Sequence, residues 1–327
     1  MYSREILHGL ARAHPESRFL YCYRPHRLLK SFLERHPGNA RRRLLRYSKA
    51  PRADLFHALN QRVEYPAGTL PTVVTFHDLF VLTGDYSSAG FRERFAQQAR
   101  QAADRADLIV AVSRFTADQV RDLLGIPESR LRVVSHGVRR PAEPPPDDAV
   151  RDNVILHVGA IQKRKNLIRL VEAFESLDAS WRLVLAGPAS GFNSAEALAR
   201  IEASPARARI EVTGWVDDVR LKNLYASARV FAFPSLDEGF GIPVIEAMAR
   251  GVPVLTSNRS ALPEAAGGAA LLVDPLDTGA IAEGLRQLAA DPALRASLRA
   301  KGLVRAASMT WERAVERTWA VYRELLP

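Results

Sequence analysis

The chain has 327 residues, 47% of them hydrophobic and 25% charged, a balance that excludes intrinsic disorder and suits two α/β domains of about 150 residues each. A single cysteine, Cys22, excludes an intrachain disulfide framework, and no apolar run approaches the roughly 20 residues that cross a bilayer, so a reducing, cytoplasmic setting is expected. The net charge of +10 is concentrated: Arg24 to Arg52 holds ten Lys or Arg against Glu34 alone, a net of +9, which leaves +1 for everything else.

In chain order, Tyr2 to Ala13 predicts an amphipathic helix with Ile6, Leu7 and Leu10 on one face. A doubly wound domain opens with a strand, so the expectation is that the first strand and its Gly-rich turn are missing and the chain starts late. The basic segment interleaves Leu28, Leu29, Phe32, Leu33, Leu44, Leu45 and Tyr47 with Arg27, Lys30, Arg35, Arg41, Arg42, Arg43 and Arg46. It reads as a helix on an anionic membrane surface or as a solvated helical face. A nucleic-acid patch is a third reading, and with no binding motif beside the charge no nucleic-acid partner is expected. Short apolar runs then alternate with amphipathic stretches: 18–23, 72–76, 108–112 and 131–134, followed by 154–158, 183–186, 210–212, 230–233 and 252–256. That alternation predicts parallel sheets with crossover helices. Pro141 to Asp148, rich in Pro and acid, reads as an extended linker and divides a first domain (1–145) from a second (146–309). A last helix, within 310–327, places Trp311, Ala314, Val315, Trp319 and Tyr322 at helical spacing and is expected to pack back on the first domain.

Three strand-to-turn junctions carry chemistry. Pro234-Ser235-Leu236-Asp237-Glu238-Gly239-Phe240-Gly241-Ile242-Pro243 follows a strand and opens a helix on which Glu246 lies about two turns along. The glycines admit a ligand close to the backbone, and amides at a helix start bind diphosphate or hydroxyl oxygens. Two carboxylates so spaced serve different parts of one ligand rather than flank one glycosidic bond. His157-Val158-Gly159-Ala160-Ile161-Gln162-Lys163-Arg164-Lys165-Asn166 leads a strand through a Gly turn to three consecutive cations, a diphosphate cradle or a plain basic surface turn. His77, in Val73-Val74-Thr75-Phe76-His77-Asp78, stands just past the carboxyl end of a strand, where open parallel sheets bind ligands, although a lone His is more often structural. Ser113 reads as a helix N-cap, and 135–138, 187–188 and 213–216 are further turns of the same kind.

The segment from Glu238 to Glu246, with these junctions, resembles family four of the retaining glycosyltransferases over nearly the whole chain. The resemblance implies a GT-B fold, two Rossmann-like domains facing each other across a cleft, with a nucleotide diphosphate sugar as co-substrate and no metal or other cofactor. It implies that Glu238 contacts the donor sugar, that Glu246 binds the ribose, and that Arg164 and Lys165 grip the pyrophosphate. His77 then lies near the donor sugar, and the backbone at Trp215 and Val216 faces the base. Gly159, Asn166, Ser235, Gly239, Phe240, Gly241 and Ile242 complete the donor site. Many members carry an Arg directly after the glycine of the cationic loop, where this chain has Ala160. The implied activity is metal-independent, retaining hexosyl transfer, favouring GDP-mannose, onto a glycan or lipid-linked acceptor in polysaccharide or cell-envelope synthesis. The enzyme would be cytoplasmic and peripheral on the inner face of the cytoplasmic membrane. A sugar-nucleotide epimerase and a non-catalytic basic membrane- or nucleic-acid-binding protein are the alternatives.

Overall fold

The computed structural model describes residues 2–45, 52–63 and 70–326. They divide into two compact units. The first comprises the chain up to Leu82, Ala89–Gly137 and the residues from Thr310 on; the second comprises Thr83–Ser88 and Val138–Met309.

The first unit runs α1 (Tyr2–Ala13), β1 (Phe19–Tyr23), α2 (Pro25–Ser31), β2 (Ala40–Leu44), β3 (Phe56–Ala58) and β4 (Thr72–Phe76). It continues with α3 (Phe80–Thr83, whose last residue counts with the second unit), α4 (Ala89–Arg105), β5 (Leu108–Ala111), α5 (Arg114–Leu124) and β6 (Leu131–Val133). Strands β3-β4-β5-β6 form a parallel sheet in that order, and among the described residues β1 pairs, in parallel, with β2 alone. The apolar runs of β4 and β5 are continuous because both sheet faces are covered. Val74, Phe76, Ile109 and Ala111 pack with Phe95, Ala99 and Ala102 of α4, while Val73, Leu108 and Val110 pack with Ile6 and Leu10 of α1 and with Trp311, Ala314 and Val315.

The second unit runs β7 (Asp152–Val158), α6 (Leu167–Phe174), β8 (Arg182–Ala186), α7 (Ser194–Glu202), β9 (Ile210–Gly214), α8 (Asp218–Ser227) and β10 (Ala228–Phe233). Then follow α9 (Ile242–Ala249), β11 (Val254–Ser257), α10 (Leu262–Ala266), β12 (Leu271–Val273), α11 (Thr278–Ala290) and α12 (Pro292–Ser308). Its six parallel strands take the order β9-β8-β7-β10-β11-β12, the doubly wound arrangement whose direction reverses between β7 and β10. The final helix α13 (Trp311–Arg323) belongs to the first unit. No described helix is long and apolar enough to cross a membrane.

Three sequence expectations are corrected. Ala40–Leu44 is a strand, not a helix: exposed and half-buried positions alternate along it with a period of two, and it pairs residue for residue with Phe19–Tyr23. Of the basic segment only Pro25–Ser31 is helical, and the part at 46–51 lies outside the described residues. The Pro-rich stretch is not a free linker, and the units divide at Gly137/Val138 rather than at 145/146. Arg295, itself 5% exposed, pairs with Asp148 at 2.8 Å, and Arg299 and Arg151 donate to the Pro146 carbonyl, so the stretch is fastened to the second unit.

Candidate functional site

In the second unit the loops after β7 and β10 emerge side by side at the carboxyl ends of adjacent strands, the position where open α/β sheets take ligands. After β7 the chain turns at Gly159, where a Cβ would stand 3.3 Å from Lys165 Cε. A short 3-10 turn, Lys163–Lys165, follows. Asn166 then adopts a left-handed conformation (φ 59°), which starts α6 in a new direction. After β10 the loop from Pro234 to Gly241 leads into α9, and Gly241 (φ 101°) turns the backbone where a Cβ would meet Leu262 Cδ2 at 2.8 Å.

The two loops join through charge. Glu238 Oε1 lies 2.5 Å from Lys165 Nζ, and Glu238 Oε2 lies 2.7 Å from Arg164 Nη1. All three residues are buried. Burial alone would raise the Glu238 carboxyl, but Lys165 and Arg164 outweigh it and hold it down to about 2, so it is ionised at neutral pH. Lys165 Nζ also sits 4.5 Å over the Phe233 ring. Backbone contacts zip the loops further: Leu236 N–H donates to the Arg164 carbonyl at 2.9 Å, and Arg164 donates to the Asp237 carbonyl. Glu238 N–H donates to Ser260 Oγ at 3.2 Å. Two cations and one carboxylate leave a local excess of one positive charge beside backbone amides, a setting that attracts an anion.

Arg164, Lys165 and Glu238, predicted from separate motifs, are therefore one cluster, with Gly159 beneath Lys165. Asn166 serves it as a brace: its side-chain NH2 donates to the Pro234 carbonyl at 3.1 Å and the Pro275 carbonyl at 2.7 Å, which occupies both hydrogens. Ser235 is buried with no hydrogen-bond partner for its hydroxyl among the described residues, while Gly239 and Phe240 are buried and Ile242 half-buried. Glu246 belongs to a second group. It accepts from Tyr225 Oη at 3.4 Å, and Arg250, one turn on, lies 4.6 Å over the Tyr225 ring. Burial pushes the Glu246 carboxyl up, and Arg250 and Tyr225 pull against that. Trp215, 76% exposed, and half-buried Val216 follow edge strand β9.

His77 lies in the first unit, after β4. Its Nε2–H donates to the Leu59 carbonyl at 2.9 Å; its ring stacks on His136 (5.4 Å) and meets the edge of Tyr2 (4.6 Å). Burial lowers its pKa, so the ring is neutral at pH 7.

Two residues of the second unit were missed. His157 Nδ1 is 3.0 Å from the Ala232 carbonyl, which can only accept, so Nδ1 carries the proton and Nε2 is a buried acceptor without a partner among the described residues. A Cβ at Gly159 would be 3.5 Å from this Nε2 and 3.7 Å from Lys165 Nζ, so His157 borders the cluster. Asp237 accepts from Thr83 Oγ1 at 2.7 Å through Oδ2; its Oδ1 is buried without a partner among the described residues, and burial pushes the carboxyl up. The signal for both was their place at the ends of β7 and β10, beside residues already singled out.

Residues 141–304 match the family model described as "Glycosyl transferases group 1", and residues 6–140 match that of "Glycosyltransferase Family 4". The chain is 32% identical over 268 residues to the O-antigen chain mannosyltransferase B of Escherichia coli, covering 77% of this chain and 70% of that one. It is 30% identical over 277 residues to a serotype-specific mannosyltransferase, WbdA, of Escherichia coli, of which it spans 34%. Among solved structures, the sucrose-phosphate synthase of Thermosynechococcus elongatus superposes with a TM-score of 0.79 at 22% identity, over 99% of this chain and 92% of that one.

Proposed function

The chain belongs to the glycosyl transferases group 1, within glycosyltransferase family 4 and with its GT-B fold, and on that footing we propose that it transfers a hexose from a nucleotide diphosphate sugar to a glycan or lipid-linked acceptor in glycan biosynthesis. The observation that carries this reading is the buried cluster of Arg164, Lys165 and Glu238 at the carboxyl ends of β7 and β10. Mannose is the favoured sugar and GDP-mannose the favoured donor, a reading supported by the two mannosyltransferases of Escherichia coli to which the chain is 32% and 30% identical.

In the proposed reaction the acceptor oxygen forms its bond to the anomeric carbon on the face from which the diphosphate oxygen departs, so configuration is retained. The acceptor's proton passes to a departing phosphate oxygen. Arg164 and Lys165 offset the charge that develops there, work that a divalent ion would otherwise do, and the reaction is proposed to be metal-independent. Glu238 orients the donor sugar, Glu246 holds the ribose, and the main chain at Trp215 and Val216 faces the base. A diphosphate arriving beside Lys165 competes with Glu238 for the same N–H donors, which frees the carboxylate for a sugar hydroxyl.

Docking on the inner face of the cytoplasmic membrane is part of the proposal. Leu29, Phe32 and Leu33 are 81%, 65% and 90% exposed beside Arg27, Lys30 and Arg35, an apolar and cationic surface suited to anionic lipid. The test is a donor screen: nucleotide diphosphate release from GDP-mannose and the common UDP-hexoses, with and without EDTA, beside Lys165→Ala. Release from one donor, insensitive to EDTA and lost in the variant, is expected. Release that stops with EDTA and returns with magnesium would remove the metal-independent mechanism, and equal release by Lys165→Ala would remove the assigned site.

A further inference from the structure

Beside Gly159, in the second unit, lies a niche the size of the methyl group that glycine lacks. A Cβ there would stand 3.5 Å from His157 Nε2, 3.7 Å from Lys165 Nζ and 3.3 Å from Lys165 Cε, so two polar atoms converge on one point. Gly159 is half-buried, whereas His157 and Lys165 are 0% and 7% exposed, so the turn gives access to two interior groups. An oxygen at that point needs to shift by less than about 1 Å to come within hydrogen-bond distance of each nitrogen.

The two nitrogens differ in kind. Lys165 Nζ only donates: it gives one hydrogen to Glu238 Oε1 at 2.5 Å, and the ammonium lies 4.5 Å over the Phe233 ring. His157 Nε2 only accepts, because the Nδ1 proton is committed to the Ala232 carbonyl at 3.0 Å. The His157 ring is held in place by stacking on Phe233 at 5.3 Å. Burial first, then Lys165, lowers its pKa to about 3, so the ring is neutral, and Nε2 has no partner among the described residues. The charged groups that face it are Lys165 and Glu238; Ala232 and Phe233 of β10 and Leu185, its register partner on β8, are apolar.

A group that suits the niche must accept from the ammonium and donate to the imidazole. A bare phosphate oxygen meets only the first demand, since against Nε2 it sets lone pair against lone pair. A phosphate oxygen that carries a proton meets both. We propose that the niche at Gly159 is a subsite for the terminal phosphate of the departing nucleoside diphosphate, in which one protonated oxygen donates to His157 Nε2 and accepts from Lys165 Nζ.

This deepens the nucleotide-sugar reading above and rests on it. In the reaction set out there, the acceptor's O–H bond breaks as its oxygen bonds to the anomeric carbon, and the proton goes to the phosphate as the sugar's bond to it breaks. The proton then stays on the phosphate, held against Nε2, and leaves with the product, so His157 ends in the state in which it began. The contact with His157 is completed only as that proton arrives, which favours the departing group over the intact donor. The two ligands differ in the same way in solution: a free terminal phosphate titrates near pH ~6, whereas the phosphates of the donor, both esterified, have no such step.

The test is calorimetric titration with GDP, or with UDP if that is the nucleotide bound, between about pH 8 and pH 6 in buffers of different ionisation enthalpy. The intact chain is compared with His157→Phe. Binding that takes up a proton strengthens as pH falls, so the intact chain should gain affinity relative to the variant by about tenfold or more across that range. It should also take up more proton with the free diphosphate than with the corresponding nucleotide sugar, a comparison that needs only the intact chain should His157→Phe fail to fold. Parallel pH profiles for the two proteins, or equal proton uptake with the two ligands, would overturn the proposal while leaving the donor site in place. Absence of nucleotide binding by the intact chain would remove the proposal together with the reading it rests on.

Discussion

Glu238 is a buried carboxylate between two cations, and removing different members of the trio has different consequences. Taking away the acid leaves two buried positive charges uncompensated, so Glu238→Gln is expected to destabilise the second unit by about 3–5 kcal/mol, and adding Lys165→Met should recover part of the loss in denaturant titrations. The pH dependence follows from the same carboxyl. Its pKa is lowered from 4.5 to about 2, so its contribution is complete above pH 4.5 and is lost as pH falls from there towards 2. Acid unfolding of the Glu238→Gln protein should lack that segment of the curve. His157 acts at higher pH: burial first, then Lys165, lowers it from 6.5 to about 3. The unfolded chain therefore takes up its proton below pH 6.5 while the folded one does not, which removes about 1.4 kcal/mol per pH unit as pH falls from 6.5 towards 3. His157→Phe, placed against Phe233, should flatten that slope. At this scale the cationic loop and the acidic loop were legible because their glycines and charges are contiguous in sequence. Their mutual ion pairing was not, because the partners stand 73 residues apart. Tyr225 as the neighbour of Glu246 was hidden for the same reason.

At the scale of elements, α1 and α13 meet at Gly9, where a Cβ would stand 2.3 Å from Val315 Cγ2. A β-branched neighbour yields little, so Gly9→Ala is expected to cost about 1–3 kcal/mol by overpacking against about 1 kcal/mol gained in helix propensity. The sign should reverse in a Val315→Ala background, where the added methyl fills space; thermal unfolding of the four proteins checks it. Asn166 holds the junction between the 3-10 turn and α6 through its positive φ and its two carbonyl contacts. Asn166→Gly should keep the turn and lose only the brace, whereas Asn166→Ala should lose both. The longer apolar runs, from 72–76 to 230–233, could be read as strands because burial on both faces leaves an unbroken hydrophobic signature. Phe56–Ala58 and Leu271–Val273 are too short to show a period, and the Arg-rich pattern of Ala40–Leu44 was read at helical spacing because charge, not burial, dominates it.

On the scale of the whole molecule, the chain returns from the second unit to finish the first: Trp311, Ala314 and Val315 of α13 share a core with Ile6, Leu10, Val73 and Val110. Truncation after Met309 should unfold the first unit and leave the second protected, a pattern that hydrogen exchange reads unit by unit. The two-domain organisation and the C-terminal helix were visible from the repeat of alternating runs. The boundary was displaced because a Pro-rich, acidic stretch looks like a linker until Arg151, Arg295 and Arg299, distant in sequence, are seen to bind it. In the proposed function Arg164 and Lys165 hold the diphosphate of a nucleotide sugar. The most direct measurement is calorimetric titration of the intact chain and of Lys165→Ala with GDP-mannose, GDP and UDP-glucose. Removing one charge-assisted contact should weaken nucleotide diphosphate binding by roughly 10- to 150-fold while the variant stays folded. Equal affinity in the two proteins would contradict the assignment, as would binding of none of the three nucleotides by the intact chain.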